Sequence, residues 1–318
     1  MTTPRLLLVG NLVPVLNRAL AESFAIHRLV EEADPAAFLA AHGGEFEIAV
    51  TSAAVGMNEA QLAALPNLKL ISSFGVGLDK VPVAAAQARG ISVGYTPDVL
   101  NDCVADTALA LLLDVARRVS EADRFVRAGG WAKGGLNSFG LSRKVSGAKL
   151  GVLGMGRIGQ AIARRGAGFD MQVRYHTRRP VEGLPWAHES SLLELARWCD
   201  YLVVITAGGP STQHLVNAEV LNALGPRGFV INVARGSVID EDALVAALRD
   251  KRIAGAGLDV FANEPQVPEA LLKLDNVVLL PHIASATEET RQAMAQRVLD
   301  NIAAFQAGKP LVSEAPRA

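Results

Sequence analysis

The segment Val152-Leu-Gly-Met-Gly-Arg-Ile-Gly159 constrains the fold more than any other. Its G-x-G-x-x-G pattern stands directly after the apolar run Lys149–Leu153 and directly before the helical stretch Gln160–Arg165. Strand, glycine turn and helix in that order make a dinucleotide-binding unit. Gly154 permits the tight turn, Gly156 lets the backbone approach a pyrophosphate, and Gly159 allows the helix to pack closely on the strand. Amides at the helix N-terminus then meet the phosphate charge. Gly154, Met155, Gly156, Arg157, Ile158 and Gly159 are therefore candidate cofactor contacts.

A unit that prefers NAD presents an Asp or Glu about 20 residues further on, at the end of the second strand, for the ribose hydroxyls. Here the chain reads Tyr175-His-Thr-Arg-Arg179, and the nearest acid, Asp170, precedes the strand Gln172–His176 and falls at its wrong end. Thr177, Arg178 and Arg179 instead offer a hydroxyl and two guanidinium groups suited to a 2′-phosphate. The expectation is NADP(H), with NAD(H) the weaker cofactor.

Strand-like and helical runs alternate on both sides of this unit. Before it, strands are expected at Leu6–Val9, Ile48–Thr51, Leu70–Ser73 and Ile91–Gly94, with helices over Asn58–Ala64, capped by Asn58, and Val83–Arg89. After it, strands are expected at Gln172–His176, Tyr201–Ile205, Phe229–Asn232, Ala256–Asp259 and Val277–Leu280. Between the halves, an apolar helix begins at Asp98, and Ala128–Gly147, with its single Trp131, reads as an irregular arm. The last helix, Glu288–Ala307, stops before Gly308 and Pro310. Such alternation specifies mostly parallel sheets covered on both faces. The predicted class is α/β, with two doubly wound parallel-sheet domains and a Rossmann-type nucleotide-binding one; 318 residues suffice for two domains.

Composition removes several function classes. Lys plus Arg is 31 against Asp plus Glu at 32, so no basic field exists to attract nucleic acid or anionic lipid. Cys103 and Cys199 match neither a disulfide framework nor a metal-ligand spacing, and read as two buried thiols in a reducing compartment, with no metal site. The stretch Leu6–Leu16 loosely imitates a secretory leader, but Asn11 and Pro14 interrupt it, and Arg5-Leu-Leu-Leu-Val-Gly10 reads as an opening strand. No uninterrupted run of about 18 apolar residues predicts a membrane span. A cytoplasmic protein is expected.

Three polar residues follow apolar strands downstream of the fingerprint: Arg235 after Phe229–Ala234, Glu264 after Gly257–Asn263, and His282 after Val277–Pro281. Ligands of open parallel sheets bind beyond the carboxyl ends of strands, where these groups should converge. An Arg, a carboxylate and a His suffice to reduce a 2-keto acid. The planar fork of Arg takes the substrate carboxylate, the His delivers a proton to the carbonyl oxygen as hydride reaches carbon, and a carboxylate beside an imidazole favours its protonated form. The remaining histidines, His27, His42, His176, His188 and His214, read as turn or core residues, and Met57, Met155 and Met171 as core or pocket fillers.

On Gly154–Gly159, Asn232-Val-Ala-Arg-Gly236, Gly257-Leu-Asp-Val-Phe261 with Glu264-Pro265, and Pro281-His282, the chain resembles the D-isomer-specific 2-hydroxyacid dehydrogenase family over nearly its whole length. Phe74-Gly-Val-Gly-Leu-Asp-Lys-Val81 and Pro281-His-Ile-Ala-Ser-Ala-Thr287 make it most similar to glyoxylate/hydroxypyruvate reductases and hydroxyphenylpyruvate reductases. The resemblance implies that Arg235 anchors the substrate carboxylate, His282 is the acid/base and Glu264 its orienting partner. It places Asp259 near the nicotinamide or in tuning the site, without a proton to transfer, and Thr107, Thr206, Val233, Ala234 and Ala284 along the cofactor path. Val76, Gly77 and Ser285 would complete the substrate cradle, with Trp131 as a further substrate contact. It also implies a homodimer, joined by the helix from Asp98 and the arm around Trp131. Residues 1–98 and 289–318 would form a substrate-binding domain around a dinucleotide-binding domain of residues 99–288.

Two other readings share the fold. Formate dehydrogenase-like relatives typically lack the carboxylate that Glu264 supplies. A nucleotide-sensing corepressor or scaffold has no chemical need for the set Arg235, Glu264 and His282. The expected reaction is NADPH-dependent reduction of glyoxylate or hydroxypyruvate to the D-2-hydroxy acid, with hydroxyphenylpyruvate as the alternative substrate.

Overall fold

The computed structural model describes residues 5–317. They form two compact units: the residues through Leu100 together with those from Ala286 onward, and Asn101–Ser285.

The first unit holds a five-stranded sheet of β1 (Arg5–Leu8), β2 (Ala25–Arg28), β3 (Ile48–Ser52), β4 (Leu70–Phe74) and β5 (Ser92–Gly94), in the order β2-β1-β3-β4-β5. Every pairing is parallel. The 2-1-3-4-5 order is a doubly wound arrangement, so the sheet carries helices on both faces. β3 and β4 are buried at every residue, which is why they stand out as apolar runs. β2 escapes a reading of the sequence because Ala-Ile-His-Arg, at an edge, has neither an apolar run nor alternation.

Asn58 caps the helix Glu59–Ala63 through a reciprocal pair: the Gln61 amide donates to Asn58 Oδ1 at 2.8 Å, and the Asn58 amide to Gln61 Oε1 at 2.9 Å. The final helix, Glu288–Gln306, is fastened by the fully buried Asn301, whose side chain donates to the Tyr95 carbonyl and accepts from the Ser313 amide.

The second unit holds β6 (Lys149–Leu153), β7 (Gln172–His176), β8 (Ala187–His188), β9 (Tyr201–Val204), β10 (Phe229–Asn232), β11 (Gly255–Leu258) and β12 (Val277–Leu279). Their order is β12-β11-β10-β9-β6-β7-β8, all parallel. The chain winds outward from β6 in one direction and from β9 in the other, which is the Rossmann arrangement with its switch point between β6 and β9. Ligand crevices form there because the connections leave the sheet on opposite faces. The core beneath is built from residues such as Leu202, Val204, Val230, Ala256 and Leu258.

Several details correct the expectations. The long helix spans Asn101–Arg117 and does not begin at Asp98, which holds a left-handed φ of 73° that a helix cannot use. The arm is not wholly irregular: Gly130–Gly134, including Trp131, is a short helix between Gly129 and Gly135, both at positive φ. The helix after the fingerprint is longer than Gln160–Arg165, covering Arg157–Gly168. Cys199 is buried, and burial raises its thiol pKa to about 12, but Cys103 is only partly buried. Among the described residues, no helix is long and apolar enough to cross a membrane, and no cluster of His, Cys, Asp and Glu is suited to a metal ion.

Candidate active site

β10, β11 and β12 are adjacent and in register, with Asn232 opposite Leu258 and Leu258 opposite Leu279. The loops that follow them therefore leave from one edge of the sheet, and they carry Arg235, Glu264 and His282.

The loops are tied to each other through Glu264 and Asp259. Glu264 Oε2 lies 2.7 Å from His282 Nδ1, while its Oε1 accepts from the Phe261 amide at 3.0 Å. Burial pushes the Glu264 carboxyl upward, but the His282 hydrogen bond, the Phe261 amide and the Arg235 charge together hold it below its ordinary value. It is thus kept as an acceptor for Nδ1–H, so Nε2 is the ring nitrogen that Glu264 does not engage.

Asp259 has a different duty. It is fully buried, and its Oδ1 and Oδ2 accept from the Ile283 and Ala284 amides at 2.7 and 2.9 Å. Its own carbonyl accepts from the His282 amide at 2.9 Å. These three bonds hold the turn in which His282 adopts a left-handed φ of 54°. Burial raises the Asp259 pKa against the opposing effect of the two amides. Thr107 reaches the same turn, its hydroxyl lying 3.4 Å from the buried Ala284 carbonyl.

Arg235 is set by its neighbours. Asn232, 1% exposed, donates to the Arg235 carbonyl and accepts from the Ala234 amide, both at 3.0 Å. Gly236 fits against the backbone of Phe261 so closely that a Cβ would fall 1.9 Å from the Phe261 carbonyl carbon. The Arg235 loop can therefore lie against the Glu264 loop only with glycine at 236.

A cleft of about 740 Å³ opens at the switch point. Leu153, Gly154, Met155 and Gly156 line it after β6, and His176, Thr177, Arg178 and Arg179 after β7; Thr206 and its neighbours contribute the opposite wall, after β9. Gly154 holds φ 103°, and a Cβ at Gly159 would strike the Gly154 carbonyl at 2.1 Å, so both glycines are steric requirements of the turn. A Cβ at Gly156 would meet nothing within 4 Å. The open cradle above Gly156, at the start of the helix Arg157–Gly168, has the form that a pyrophosphate requires. The residues present fit a dinucleotide.

Val76 is exposed and Gly77 partly buried after β4 in the first unit; in the second, Trp131 is exposed and Ser285 partly buried. Val233 and Ala234 are buried beside Arg235. Reading the sequence missed Asn232 and Gly236 as supports of Arg235, and Ala207, Gly208, Ser211 and Thr212 as walls of the cleft. A polar residue closing an apolar strand was the available signal for Asn232.

Residues 109–284 match the family described as "D-isomer specific 2-hydroxyacid dehydrogenase, NAD binding domain". The chain is 43% identical over 298 residues to a hydroxyphenylpyruvate reductase of Plectranthus scutellarioides, covering 94% of each protein. The chain belongs to the D-isomer specific 2-hydroxyacid dehydrogenase family. It is also 41% identical to glyoxylate/hydroxypyruvate reductase A of Arabidopsis thaliana, again over 94% of each. Among solved structures, an NADPH-dependent glyoxylate/hydroxypyruvate reductase of Sinorhizobium meliloti in complex with NADP and malonate superposes with a TM-score of 0.92 at 45% identity, over 99% of this chain and 97% of that one. As a 2-hydroxyacid dehydrogenase, this chain is an oxidoreductase that acts on small 2-keto and 2-hydroxy acids.

Proposed function

We propose that this dehydrogenase reduces glyoxylate or hydroxypyruvate to the D-2-hydroxy acid with NADPH, His282 donating the proton. The observation that carries the reading is the Glu264–His282 bond at 2.7 Å, on the same sheet edge as Arg235. Arg235 pairs with the substrate carboxylate and draws the keto oxygen toward the imidazole. Glu264 fixes the ring through Nδ1, so that Nε2–H points the proton at that oxygen and the imidazolium charge is offset while it exists. Bound NADPH supplies the hydride. Thr177, Arg178 and Arg179, which line the cleft after β7, select the 2′-phosphate in this reading. The Sinorhizobium meliloti relative supports this reading, being named NADPH-dependent and solved with NADP.

Hydroxyphenylpyruvate is the second candidate substrate, favoured by the 43% identical Plectranthus enzyme. NADPH oxidation measured side by side with glyoxylate, hydroxypyruvate and 4-hydroxyphenylpyruvate decides between them. Replacing His282 with Ala should cost about 10²- to 10⁴-fold in kcat. Turnover no faster than that variant with all three acids would overturn the reading.

A further inference from the structure

β8 is only two residues long and forms the sheet edge beside β7. Its ladder ends where Tyr175 faces His188 and the Glu189 amide donates to the Tyr175 carbonyl at 2.7 Å. Two imidazoles continue the pairing beyond that point. His176 Nδ1 lies 2.8 Å from the Glu189 carbonyl oxygen, and His188 Nε2 lies 2.9 Å from the Thr177 carbonyl oxygen. A carbonyl only accepts, so each of these nitrogens carries a proton. The two rings lie within 15° of parallel, with centroids 6.3 Å apart.

The backbone they grip leads directly into the cofactor-reading turn. Thr177 Oγ1 donates to the Arg179 carbonyl at 2.6 Å, and the Val181 amide donates to the Tyr175 hydroxyl at 2.9 Å. The turn bearing Arg178 and Arg179 is thus pinned from within, from Tyr175, and from β8 through His188. The His188 bond is the one that reaches Thr177 from β8.

We propose that His176 and His188 are positioning residues for cofactor choice: they clamp β7 to β8 so that the Thr177–Arg179 turn is already shaped for a 2′-phosphate. The inference rests on the NADPH reading above. Arginine side chains on an exposed turn must be ordered before they can grip a phosphate, and a turn held in advance spares that cost at binding. NADH presents only ribose hydroxyls where NADPH presents a 2′-phosphate, so loss of the clamp falls more heavily on NADPH.

Fluorescence titration of the full-length enzyme with NADPH and with NADH tests this on the wild type, His188→Leu and His188→Gln. His188→Leu should weaken NADPH binding by roughly three- to tenfold, the factor expected for one hydrogen bond, and lower the NADPH-to-NADH affinity ratio accordingly. His188→Gln carries an amide nitrogen close to the position of Nε2 and should recover most of that ratio. An unchanged ratio in His188→Leu, or no recovery in His188→Gln, overturns the inference. Should His188→Leu fail to fold, His188→Phe, which keeps an aromatic ring without the Nε2 donor, puts the same question. A wild type that binds NADH as tightly as NADPH overturns the cofactor reading itself, and this inference with it, before any variant is compared.

Discussion

In the proposed reaction Glu264 has a double role, because its two oxygens have different partners. Oε1 is held by the Phe261 amide and Oε2 by His282. Glu264→Gln keeps the shape but removes the charge that balances an imidazolium, and its amide can turn an N–H toward Nδ1, imposing the wrong tautomer. A loss of about 10²- to 10⁴-fold in kcat is expected, with substrate KM changing far less; an unaltered kcat would refute the orienting role. The same carboxylate gives a pH dependence to stability. Its folded pKa lies below the unfolded one, so its contribution is complete above the unfolded value and is lost as pH falls through the folded value. Wild type should therefore lose more stability than Glu264→Gln in denaturation series run downward from pH 5 through the carboxylate range. Arg178 and Arg179 carry a separate prediction: neutral replacement of both should raise the KM for NADPH much more than that for NADH, as read from initial rates. Equal effects would show that they do not read the phosphate.

The elements that matter most are the loops after β10 and β11, which were visible in the sequence as motifs but not as partners. Arg235, Glu264 and His282 were legible because polar groups ending apolar strands are conspicuous. Gly236 closes the Asn232–Gly236 motif, yet its reason lies 25 residues away in the Phe261 backbone. Gly236→Ala must force the loops apart and should destabilise by about 1–3 kcal/mol, with activity falling further than the melting temperature alone explains. Calorimetry and rate measurements on one preparation check both. Asp259 is similar. The resemblance implies a place near the nicotinamide or a part in tuning the site, and both its oxygens accept from amides of the His282 turn. Asp259→Asn leaves one acceptor oxygen for two donors, so a loss of about 1–3 kcal/mol is expected in chemical denaturation. The two missed strands have a shared cause. β2 and β8 are short, lie at sheet edges and contain polar residues, so their pairing depends on neighbours that local pattern does not reveal.

At the scale of the whole molecule, the arm between the helix Asn101–Arg117 and β6 breaks the usual rule that large apolar side chains are covered. Leu136 is 86% exposed and Leu141 98% exposed, with Val119, Val126 and Trp131 exposed nearby. For these side chains we propose the cover that the family resemblance implies, a second copy of the chain. Light scattering should give a homodimer, and Leu136→Asp with Leu141→Asp should shift it toward monomer; a monomeric wild type would end that proposal. The sequence alone determined the two doubly wound sheets, the glycine fingerprint and the identity of the residues at the strand ends, since each depends on local periodicity or on a steric demand met within a few residues. Only the tertiary structure decided that Asp259 clasps the His282 turn, that Gly236 lets two loops touch, and that His188 reaches the carbonyl of Thr177. Those contacts join segments distant in sequence, and their distances follow from how the strands are ordered and registered, which no local pattern encodes.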